Sequence, residues 1–77
     1  MPKQHYLDIY PQYFAPVVEG LKTFEIRRNE GFEVGDALVL REYDPETSEY
    51  SGHYVEKTVV YITNYAQKEN YVVLGIE

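Results

Sequence analysis

The chain contains no cysteine, so neither a disulfide frame nor a thiolate metal site can form. Its two histidines, His5 and His53, stand far apart without ligand spacing, and no metal or cofactor is expected. No apolar run approaches the ~20 residues that cross a bilayer, and no leader-type apolar segment is present. The expectation is a soluble, cytoplasmic protein without a membrane partner. Positive charge is scarce as well: 7 Lys and Arg stand against 13 Asp and Glu, for a net charge of −6. Proteins that coat long duplex DNA neutralise many phosphates with Lys and Arg, and this balance excludes that mode. Serine–histidine elbows, glycine-rich phosphate loops and paired-carboxylate patterns are missing too.

What is present suits one small domain over residues 1–77. A chain of this length buries only ~60–65% of its unfolded surface, so its single core must be efficient. Apolar residues make up 44% of it, and nine are tyrosines, whose rings pack while their hydroxyls stay near water.

Alternation over His5–Ile9 predicts a strand with His5, Leu7 and Ile9 on one face and Tyr6, Asp8 and Tyr10 on the other. Pro11 suits the first position of a helix. Tyr13, Phe14, Val17 and Val18 then form an apolar stripe, shortened or kinked by Pro16, with Gly20 as a left-handed cap. Phe24–Arg28 predicts a second strand, its Phe24 and Ile26 turned to the core and Thr23, Glu25 and Arg27 turned away. Gly35-Asp36 forms a tight turn, in which Asp36 is a backbone acceptor, before a third strand over Ala37–Tyr43. Residues Asp44–Gly52 read as an exposed hairpin connection to a long fourth strand, Tyr54–Thr63. There Val55, Val59 and Tyr61 share one face, with a bulge or corner near Val59-Val60. After a polar loop, Tyr71–Ile76 closes the domain as a buried strand. About five strands and one helix make a mainly-β (α+β) domain, and closure into a small mixed barrel would protect its edges.

The candidate site is the stretch Gly20–Asn29, where Lys22, Arg27 and Arg28 surround Glu25. Glu25 and Arg27 share a strand face ~6.5–7 Å apart. In solvent such a pair contributes under ~1 kcal/mol. In a cleft between helix and barrel, Arg27 instead offers a planar fork to phosphate or carbonyl, and Glu25 accepts from an exocyclic amine. Lys22 either complements the negative end of the helix or, if desolvated beside Arg27, serves as base or nucleophile. Arg28 and Asn29 extend the ligand-binding set, and His5 and Tyr43 offer stacking surfaces for a base.

These residues resemble the ASCH domains of the PUA-like superfamily, and in particular a small branch of uncharacterised bacterial and phage proteins. The resemblance rests on Gly20-x-Lys22-x-x-Glu25-x-Arg27, similar to the superfamily's GxKxxExR signature. It extends through His5-x-Leu7-x-Ile9-x-Pro11-x-Tyr13-Phe14, Phe32-x-Val34-Gly35-Asp36-x-Leu38, Arg41–Pro45 and Tyr71–Leu74, and covers nearly the whole chain. It implies a β-barrel of about five strands with a helix between the first two. It also implies a cleft for RNA or a modified nucleoside, lined by Lys22, Glu25 and Arg27. Some ASCH relatives are amidohydrolases that deacetylate N4-acetylcytidine with the motif lysine, a threonine three positions later and a further glutamate. Here Lys22 matches, Glu25 occupies the threonine position, and the later glutamate has no counterpart. The first expectation is therefore a binding module for RNA or a modified nucleoside. An amidohydrolase using Lys22 and Glu25 is the alternative, and a phage or mobile-element accessory protein that binds a host protein is the third.

Overall fold

The computed structural model describes residues 2–77. In chain order the elements are β1 (Gln4–Ile9), α1 (Pro11–Val18), β2 (Phe24–Arg28), β3 (Ala37–Asp44), β4 (Glu49–Thr63) and β5 (Tyr71–Ile76). The five strands form one mixed sheet in the order β1-β3-β4-β5-β2. Only β1 and β3 run parallel. The core is built from Ile9, Phe14, Val17, Leu38, Leu40, Val59, Val72, Leu74 and Ile76, capped by Phe32. No helix among the described residues is long and apolar enough to cross a membrane.

Strand β4 is the hinge of this arrangement. Up to Thr58 it pairs with β3; from Val59 it pairs with β5. Between Val59 and Tyr61 the β5 register advances by one residue only, from Ile76 to Gly75, so Val60 is the extra residue of a bulge. The expected corner near Val59-Val60 is therefore present, but it also reverses the side-chain alternation beyond it. Val59 is buried and Ile62 packs on the core, whereas Tyr61 faces outward, contrary to the face shared with Val59 that simple alternation predicts. A second irregularity lies between Arg41 and Tyr43, which pair with Tyr54 and Tyr50. The left-handed Gly52 (φ 92°) absorbs the surplus there. Strand β4 consequently begins at Glu49, inside the segment expected to be loop.

Closure does not occur. Strands β1 and β2 are the two edges of the sheet, and no ladder joins them among the described residues. The expected barrel is thus an open sheet folded about β4.

The orientation of β2 is opposite to expectation as well. Phe24 and Ile26 are 43% and 50% exposed, whereas Glu25 is 4% exposed. The cause is register with β5, where Glu25 stands opposite Leu74 and Arg27 opposite Val72. Strand β5 turns Val72, Leu74 and Ile76 into the core, so the residues facing them must turn inward too. Burying three large side chains of β5 outweighs burying two of β2.

Helix α1 is short, as Pro16 requires, and of the apolar stripe only Phe14 and Val17 reach the core. Its C-terminus is a Schellman cap. Gly20 (φ 78°) donates to the Val17 carbonyl at 3.1 Å, and Leu21 and Lys22 both donate to Pro16 O, at 2.9 and 3.0 Å. The cap thereby fixes the backbone of Lys22. Asp36 performs the turn role read from the sequence. Its buried carboxylate accepts from the Lys3 and Glu33 amides at 3.0 Å each and pairs with His5 Nε2 at 2.8 Å, tying the β3 turn to β1.

Replacing Gly20 by Ala meets no atom within 4 Å but forces a side chain into the left-handed region. Gly20→Ala is expected to lower stability by about 1 kcal/mol in urea titration. Donation from the Lys3 amide, the His5 ring and the Glu33 amide lowers the Asp36 pKa from the ordinary 3.8 to about 2, against the opposing effect of burial. A lowered folded-state pKa means that the stabilisation is complete above pH 3.8 and is lost as pH falls through about 2. Between those values the melting temperature of the native protein should fall more steeply than that of Asp36→Asn, followed by circular dichroism.

Candidate functional site

Because β1 and β2 do not pair, a cleft of about 640 Å³ lies between them, closed at one end by α1. Its walls are the end of β1 (Asp8, Ile9), Tyr10 and Tyr13 at the start of α1, and Lys22 with residues Phe24–Arg27. The sheet order brings these segments together although β1 and β2 are separated in sequence by the helix.

Glu25 is the centre of the cleft's polar chemistry. Its buried carboxylate receives Lys22 Nζ on Oε2, in a very short contact. Arg27 binds the other oxygen, Oε1, through Nε at 3.1 Å and Nη2 at 2.7 Å. Lys22 Nζ donates in addition to the Phe24 carbonyl at 2.7 Å, and lies 4.6 Å from the Phe24 ring centroid and 5.6 Å from that of Tyr13. Arg27 Nη2 also reaches the Asp8 carbonyl at 2.9 Å. That bond bridges the open seam from β2 to β1.

The inventory of hydrogens decides what this cluster can do. An ammonium has three donors, and Lys22 commits two of them. A guanidinium has five, and among the described residues Arg27 Nη1 makes no hydrogen bond. Glu25 Oε1 accepts from Arg27 twice, and Oε2 accepts from Lys22 alone. The cluster therefore carries one net positive charge, with spare donors on both cations and one acceptor site left on Glu25 Oε2, beside the rings of Tyr10, Tyr13 and Phe24. It can hold an oxyanion or a carbonyl on a flat ligand.

Of the residues singled out from the sequence, Lys22, Glu25 and Arg27 are brought together. Arg28 points elsewhere, its guanidinium 5.7 Å from the Tyr71 ring centroid. Asn29 is engaged with its own loop: its N–H donates to the Asn70 carbonyl at 2.6 Å and its side chain accepts from the Gly31 amide at 3.1 Å. It borders a separate, smaller recess. His5 is held by Asp36 and packs 4.6 Å from Phe32, and Tyr43 packs 4.9 Å from Tyr50; neither lines the cleft. Asp8, Tyr10 and Tyr13 line it without having been singled out for it. Asp8 contributes a main-chain carbonyl, for which side-chain identity holds no signal. The tyrosines flank Pro11 at the start of a helix whose cap leads directly to Lys22, and that adjacency was the available clue.

Removing the anion should be worse than removing one cation. Glu25→Ala leaves two cations facing each other, 19% and 24% exposed at their side chains. Partial hydration of those cations reduces the ~3–5 kcal/mol typical of a broken buried pair, so a loss of about 2–3 kcal/mol is expected. Lys22→Met should cost less, because Arg27 still answers the carboxylate. Chemical denaturation of the two variants checks the ranking.

No protein of curated function matches the sequence significantly. A family model described as a domain of unknown function, DUF3850, matches residues 4–76. That span runs from the first residue of β1 to the last of β5 and contains Lys22, Glu25 and Arg27, and the chain belongs to the DUF3850 family.

Proposed function

We infer that the chain is a binding module for RNA or a modified nucleoside, related to the ASCH domains, and that its ligand enters the cleft between β1 and β2. The observation that carries this reading is the set of spare donors on Lys22 and Arg27 within an aromatic-walled cleft. A volume of about 640 Å³ lies in the ordinary range for a small-molecule site and accommodates a nucleoside. Lys22 and Arg27 take a phosphate or carbonyl oxygen, and the rings of Tyr10 or Tyr13 stack on the base. Glu25 positions the two cations, and Oε2, which accepts from Lys22 alone, keeps a lone pair for an exocyclic amine. The net charge of −6 favours a compact ligand or a single-stranded stretch over a long duplex.

Lys22 is paired with a carboxylate instead of lying beside Arg27 alone, an arrangement that supports binding over nucleophilic catalysis. The test is titration with free nucleosides, including N4-acetylcytidine, and with short single-stranded RNA at low and high salt. Saturable binding is expected, weakened about tenfold (~1.4 kcal/mol) by Arg27→Ala in protein shown by circular dichroism to be folded. Affinity unchanged by Arg27→Ala, or no binding at all, overturns the reading. Hydrolysis of N4-acetylcytidine that disappears in Lys22→Ala assigns the cleft to an amidohydrolase instead.

A further inference from the structure

The outer face of the β1-β3-β4 part of the sheet carries a second group of side chains that the cleft does not use. Cross-strand register places Asp8, Arg41 and Tyr54 in one row, with Tyr6 on one side of it and the Tyr43–Tyr50 pair on the other. Arg41 is the hub. Its guanidinium carbon lies 4.9 Å from the Tyr50 ring centroid and 5.8 Å from that of Tyr6, and Nη2 donates to Asp8 Oδ1 at 3.2 Å. The Tyr50 hydroxyl donates to the same Asp8 carboxylate at 3.0 Å. Tyr6 and Tyr54 are 59% and 67% exposed.

We propose that this tyrosine–arginine face is a stacking platform for single-stranded RNA, which it receives as a continuation of the strand whose first nucleotide occupies the cleft. Two observations select this occupant. The first is continuity. Asp8 lines the cleft and bonds Arg27 through its carbonyl, while its carboxylate is bound by Arg41 and Tyr50 on the platform, so one residue borders both sites. The second is composition. The exposed aliphatic residues Val18, Leu21, Ile26, Val34 and Val60 lie outside these rows, and the platform's exposed apolar surface is tyrosine. Aromatic faces around a guanidinium suit bases of any identity. Glu56, bonded to Gln4 at 3.2 Å beside Tyr6, limits how closely phosphates approach that corner.

The proposal rests on the nucleotide reading of the cleft, and a length series separates the two. Cytidine 5′-monophosphate and single-stranded oligocytidylates from dinucleotide to octanucleotide are titrated into the native protein and into Tyr6→Ala, Tyr54→Ala and the double variant. Affinity should rise roughly tenfold for each base that gains a stacking partner, then level off. The double variant should lose that gain while binding the mononucleotide as the native protein does. Mononucleotide binding without a length-dependent gain, or a gain that the variants retain, overturns the platform and leaves the cleft reading standing. Absence of binding by every member of the series removes both. A concentration-dependent dimer abolished by Tyr54→Ala assigns the face to a second copy of the chain and also overturns the proposal.

Discussion

Strand β4 has to serve two ladders in succession, and most of the architecture follows from that demand. A strand of 15 residues cannot stay flat while its first part pairs with β3 and its last with β5. The bulge at Val60 supplies the bend, and Gly75 makes room for it. A Cβ at Gly75 would stand 3.2 Å from that of Tyr61, tighter than ordinary packing allows. Once the sheet folds there, its two ends approach each other without meeting. The space between them is the cleft.

Within that space the energetics turn on a carboxylate. Turning Glu25 inward is a consequence of the β5 register, and an ionised carboxylate cannot be buried alone. Lys22 and Arg27 answer it from either side, and Arg27 then extends across the seam to the Asp8 carbonyl. Fold and site are hence one problem with one solution. The helix cap at Gly20 delivers Lys22, the register delivers Glu25, and the excess of cations over anions leaves donors for a ligand.

Much of this is legible in local sequence. Alternation marks the strands, Pro11 and Gly20 bound the helix, and the run of apolar residues on both faces near Val59 marks the bend. The trio Lys22, Glu25 and Arg27 stands out by charge in a chain poor in bases. What local reading misses is set by distant partners. The alternation Phe24-Glu25-Ile26 looks like a strand with its apolar side inward, and only pairing with Gly75, Leu74 and Val73 reverses it. Whether a five-stranded sheet closes is decided by bend and edge geometry, which no single strand encodes. His5 and Tyr43 have types that suit stacking but stand outside the cleft, because distant pairing sets His5 on Asp36 and Tyr43 beside Tyr50.

The inward charges of β2 have one more consequence. An open sheet presents unpaired N–H and C=O groups along its edge, where another chain's strand can attach and begin a fibril. Here that edge belongs to a strand whose outer residues, Phe24 and Ile26, are apolar and exposed. An incoming strand laid against it would have to displace the Arg27 bridge to Asp8 and strip water from Lys22 and Arg27. The charged cluster thus guards the edge against aggregation, and substitutions that neutralise it would also remove that guard.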